Sequence, residues 1–172
     1  MGNSDREKQL EKAKQVANHR ENVARAAEPR LIFIGQGIRA ARKRIDEGSF
    51  EESMIEMEPA VVEIGRLANI AHALKDAGFD ISIPMKRFDL ATPHAREGRN
   101  VFSHYEDYLL GIGRSQTEPG IPVTMFYERD STSGTAVIMT NPNFRLDVGE
   151  FLNAGNDLTY DLLEAIESHR DN

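Results

Sequence analysis

The chain has 172 residues, 40% of them hydrophobic and 28% charged, which suffices for one soluble domain with a substantial core. It contains no cysteine, so disulfides, thiolate zinc sites and a cysteine nucleophile are excluded. The formal charge of −7 is uneven, because residues 1–48 carry 11 Lys/Arg against 7 Asp/Glu and the remainder 10 against 21. A broad acidic surface of this kind opposes nonspecific duplex binding through counterion release. No stretch approaches the roughly 18 consecutive apolar residues of a membrane span, and the first residues are polar rather than signal-like. The expected compartment is therefore the cytoplasm, with no membrane partner.

In chain order, residues 1–28 read as a charged helical extension with Leu10, Val16 and Val23 as its few apolar anchors. Pro29 is expected to break that helix or to start the next. Residues 29–172 are expected to form the main domain. Leu31, Ile34, Ile38, Ala41 and Ile45 recur at steps of three and four, a stripe that faces a bundle. The run Arg39, Arg42, Lys43, Arg44 reads as a solvated outer face, and Gly35 and Gly37 read as a close helix crossing.

A second bundle helix is predicted from about Phe50 to Ala77, with Met57, Val61, Ile64, Leu67, Ala68, Ala71 and Leu74 facing inward. His72 lies beside that stripe and is expected at the edge of the core. The acidic residues of this segment lack the paired histidines of a di-iron bundle, so neither a metal nor another cofactor is expected. Gly78 ends the helix. Residues 79–91 read as a link anchored by Ile81, Ile83, Met85 and Phe88, in which Pro84 argues against a continuous helix.

The stretch from Thr92 to Gly113 reads as a well-punctuated helix, with Thr92 as N-cap, Pro93 at the first position and Gly111 and Gly113 as the stop. Val101, Phe102, Tyr105, Tyr108, Leu109 and Ile112 form its apolar stripe. Arg96, Asn100, Ser103, His104 and Asp107 form the opposite polar arc, with Asn100 and His104 four residues apart on one face. The long stem of Arg99 can carry its guanidinium toward the same side.

After a Pro/Gly loop, two β-branched and aromatic runs flank Asp130–Gly134 and predict an antiparallel hairpin, with FRLDV as a possible third strand. This β insertion spans about 122–147. Asp147 then caps a last helix whose core stripe is Val148, Phe151, Leu152, Leu158, Leu162 and Ile166. His169, near the end, reads as solvated.

The cluster Arg99-Asn100-x-x-x-His104 resembles the Arg-x4–6-His signature of the HEPN superfamily, in which a polar residue, often Asn, follows the Arg. With Asn required beside the Arg, the pattern arises by chance about 0.03 times in a chain of this composition. The resemblance implies a four-helix bundle, and with the hairpin read above the expected fold is mainly α, an HEPN-like four-helix bundle with a small antiparallel β-hairpin inserted before the last helix. It also implies a homodimer, an RNA substrate, a possible antitoxin or other protein partner, and metal-independent endoribonuclease activity of a toxin or defence protein. In that chemistry His104 is the general acid/base, Arg99 stabilises the scissile phosphate, and Asn100 orients the phosphate or His104. One departure is Glu106, which stands where some members carry a modifiable Tyr. A noncatalytic dimerisation or protein-interaction module is the other class the residues leave open.

Overall fold

The structure is a computed structural model that describes the backbone of residues 3–47, 50–92, 126–129, 136–141 and 144–170, with side-chain environments within 7–47, 59–92 and 147–170. The described residues are mainly helical: α1 is Asn3–Asp46, α2 Phe50–Asp76, α3 Ser82–Ala91 and α4 Val148–Arg170. The three long helices pack on one another, and α3 lies against α4.

The core is what the three-four spacing dictates. Leu31, Ile34, Ile38 and Ala41 of α1, Val61, Ile64, Leu67, Ala71 and Leu74 of α2, and Phe151, Leu152, Leu158, Leu162 and Ile166 of α4 are all buried. Where α2 and α4 cross, the backbones come close because Gly155 has no side chain; a Cβ there would lie 2.7 to 3.0 Å from three side-chain carbons of Ile64. Gly35 serves the α1–α4 crossing in the same way, against Thr159 at 3.3 Å, whereas Gly37 faces open space. The glycine-crossing expectation therefore applies to the first glycine only.

Pro29 neither breaks nor starts a helix, since α1 runs through it without interruption. A proline in a helix interior costs about 3 kcal/mol through the lost hydrogen bond and the ring clash. Here Pro29 is exposed, as is Arg25, whose carbonyl loses its donor and can turn to water. Buried Ala24, Ala27, Leu31 and Ile34 hold the helix on both sides. The bundle-facing stripe thus begins before residue 29.

Pro84 is also helical, contrary to its reading as part of a link. Ile81 is the N-cap of α3, so Pro84 is the third residue of the first turn, where a missing N–H forfeits no intrahelical bond. The first N–H to close the ladder belongs to Met85, 3.0 Å from the Ile81 carbonyl. Of the expected anchors, Ile81 and Phe88 are buried, but Ile83 is 80% exposed.

Gly78 ends α2 with φ +94°, a left-handed conformation that favours glycine. The Gly78 N–H reaches the Lys75 carbonyl at 2.8 Å and the Phe79 N–H the Leu74 carbonyl at 3.1 Å. This double closure turns the chain so that Phe79 is buried, 4% exposed.

Ahead of α4, the backbone forms strands β1 (Phe126–Arg129), β2 (Ala136–Asn141) and β3 (Phe144–Asp147), paired antiparallel in the order β1-β2-β3. β3 lies on the FRLDV run that the sequence offers as a third strand. Phe126 stands opposite Met139, and Ile138 opposite Leu146, with an irregularity between Met139 and Asn141. The Asp147 carboxylate accepts the Glu150 N–H at 2.9 Å and so caps α4.

Ion pairs join the helices at their edges. Arg30 of α1 meets Glu63 of α2, Arg87 of α3 meets Asp161 of α4, and Arg170 of α4 meets Glu28 of α1 at 2.8 Å. The hydrogen bond from Arg170 holds the Glu28 carboxyl below its ordinary value of 4.5, partly opposed by desolvation. The stabilising contribution is therefore complete above that value and is lost as pH falls through the lowered one. The expected result for Glu28→Gln is a stability gap to wild type at pH 7 that narrows as the pH falls below the ordinary carboxylate value of 4.5. Denaturant melts across that range would show otherwise if the gap stayed constant.

Candidate functional site

The sequence-predicted site residues Arg99, Asn100 and His104 lie outside the described residues, as does the apolar stripe of the same stretch from Val101 to Ile112. What the fold fixes is how the chain enters and leaves this stretch. Thr92, read as the start of the next helix, here closes α3: its N–H and its hydroxyl both donate to the Phe88 carbonyl, at 2.9 and 2.7 Å. It is buried at 6% exposure, so the chain departs toward residue 99 from an anchored point on the bundle. The return is anchored too, by the Asp147 cap on α4.

Polar groups from different elements converge beside a cleft where the middle of α1 meets the α2–α3 turn and the end of α4. The Arg20 guanidinium lies 4.5 Å from the centroid of the Phe79 ring. His169 meets the same ring edge-on, with centroids 5.4 Å apart and planes at 80°. The Arg20 Nε is buried without a hydrogen-bond partner among the described residues, so its charge rests on the aromatic face. A cleft of about 410 Å³ opens beside this stack, bordered by Asp80, Pro84, Glu164 and Ser168. A second, more apolar cleft of about 470 Å³ continues from Arg20 and His169 along α1 over Ala13, Val16 and Ala17.

These groups hold and position; they do not form a nucleophile with its base. No group of three His, Cys, Asp or Glu side chains able to hold a metal occurs among the described residues. Its place near the end of the chain suggests a solvated His169, yet it is half-buried on Phe79. The signal was present in the sequence, because 162 and 169 are seven apart and the inward stripe of α4 continues onto it. His72 departs in the other direction and is exposed. The basic run is a paired outer face, with Arg42 4.0 Å from Asp46 and Lys43 3.7 Å from Glu47. None of the helices among the described residues is long and apolar enough to cross a membrane. No family model, curated protein or solved structure matches the chain.

Proposed function

We propose that the chain is a metal-independent endoribonuclease of HEPN type, a cytoplasmic toxin or defence protein that works as a homodimer. The observation that carries this reading is the cluster Arg99-Asn100-x-x-x-His104 on the polar arc of its predicted helix. The mainly helical frame around that stretch is compatible with it. His104 takes the proton of the RNA 2′-hydroxyl, the 2′-oxygen attacks phosphorus, and the 5′-oxygen leaves with a proton returned by a histidine. Arg99 spreads its charge over the phosphorane oxygens while Asn100 fixes the phosphate or the imidazole. The metal independence is part of the resemblance and has its own test. RNA incubated with the purified protein in chelator is expected to be cut, and intact RNA across single-stranded and structured substrates would remove the enzyme.

A second reading is a noncatalytic helical interaction module. It is favoured by the apolar groups that α1 leaves in solvent near its start, Leu10 at 58% and Val16 at 57% exposure.

A further inference from the structure

Charge is segregated around the first half of α1. On a helix that turns about 100° per residue, Lys8, Lys12, Gln15 and His19 stack at steps of four, three and four, with Gln9 and Arg20 beside them, all within an arc of about 140°. Glu7, Glu11 and Glu21 fall on the opposite side, together with Lys14. Lys8, Lys12, Gln15 and His19 are all exposed. Other cations of the bundle are matched: Arg30, Arg42, Lys43, Arg66, Arg87 and Arg170 each meet a carboxylate. Lys8 and Lys12 have no ion pair among the described residues, and neither has Arg20, whose guanidinium is fixed on the Phe79 ring instead. In a chain of net charge −7 this is a local positive strip, about 18 Å long from Lys8 to Arg20 at 1.5 Å per residue.

We infer that this strip is a docking face for the phosphate backbone of single-stranded RNA, separate from the cluster of Arg99, Asn100 and His104. It rests on the ribonuclease reading only for the identity of the polyanion. Lysine ammonium groups track phosphates as point charges without reading bases, and the Gln9 and Gln15 amides and the His19 ring supply hydrogen bonds where carboxylates would repel. A protein partner would be seated by large apolar anchors at the centre of its interface, and the line from Lys8 to His19 carries none.

A single strand fits this face better than a duplex. The cleft of about 470 Å³ runs beside the strip, floored by Ala13, Val16 and Ala17 and bordered by Lys12, Arg20 and His169. It gives an unstacked base an apolar surface to lie on while its phosphates follow the lysines. Bases held in a duplex stay in their stack and cannot use it, and the acidic remainder of the chain repels a second strand.

The test is fluorescence anisotropy of a labelled 2′-O-methyl oligouridylate with the full chain over a salt series. That probe has no free 2′-hydroxyl to attack phosphorus, so it stays whole whether or not the protein is a ribonuclease. Wild type is expected to bind at low salt and to release the probe as salt rises. Lys8→Gln and Lys12→Gln are each expected to flatten the log–log salt slope by about 0.7 and to weaken binding about fivefold at about 0.1 M salt, the counterion-release share of one contact to a single strand. Lys14→Gln removes the same charge from the opposite side of the helix and is expected to stay within about twofold of wild type. A wild type that does not bind, or a loss in Lys14→Gln equal to that in the other two, overturns the face. Displacement by polyglutamate as readily as by unlabelled RNA of equal charge also overturns it, in favour of an acidic protein partner. RNA cleavage by the same samples is scored separately. A protein that binds with this face dependence and does not cut keeps the inference and loses only the ribonuclease, whereas one that cuts but ignores Lys8 and Lys12 does the reverse.

Discussion

Gly155→Ala is expected to lower stability by up to about 2 kcal/mol, although alanine is the better helix former. The new methyl group would lie 2.7 Å from Ile64 Cγ1, 2.8 Å from Cδ1 and 3.0 Å from Cγ2. Ile64 is fully buried and cannot swing into solvent. Either its side chain leaves its rotamer or α2 and α4 move apart, and overpacking of this kind costs about 1–3 kcal/mol against a propensity gain of about 1. The sign depends on the partner. Once Ile64→Ala has removed all three contacting carbons, itself at a cost of about 2–5 kcal/mol, Gly155→Ala becomes neutral or stabilising because only the propensity gain remains. Denaturant unfolding of the four proteins of this cycle measures the coupling. Purely additive effects would mean that the crossing is looser than these distances.

His104→Ala is expected to lower the rate of RNA cleavage by about 10²–10⁴-fold, the usual contribution of a positioned proton-transfer group. Under the proposed mechanism Arg99→Ala would remove the fork on the phosphorane and is expected to cost about 10²–10³-fold, with Arg99→Lys recovering only part because an ammonium lacks the bidentate geometry. Asn100→Ala should cost less than either, since the role proposed for Asn100 is to orient groups rather than to transfer a proton. All three variants should retain the wild-type far-ultraviolet helical signal, which separates lost chemistry from lost fold. Comparable small losses at all three positions would point to a polar helix face with a packing role.

Much of the helical core was legible because burial and period coincide. The stripes on residues 31–41, 61–74 and 148–166 needed only the rule that apolar groups three and four apart share a face. The misreadings came from residues whose meaning depends on position within an element. Pro84 looked like a breaker until its place in the first turn of α3 removed the penalty. Pro29 looked like a boundary because local propensity carries no knowledge of the packing that holds α1 on either side of it. Ile83 passed for an anchor by hydrophobicity alone, but α3 turns it outward. The closeness of the α2–α4 crossing at Gly155 is a tertiary fact that no window of α4 contains. Arg99, Asn100 and His104 were found by residue type and spacing and belong to a stretch outside the described residues, so their roles stand on chemistry and resemblance.

The most direct test of the central claim is the chemistry of the cut ends. RNA digested by the wild-type protein in excess chelator is expected to carry 2′,3′-cyclic phosphate and 5′-hydroxyl termini, with neither produced by His104→Ala. Products bearing 5′-phosphate ends, or cleavage that appears only when divalent metal is restored, would contradict it.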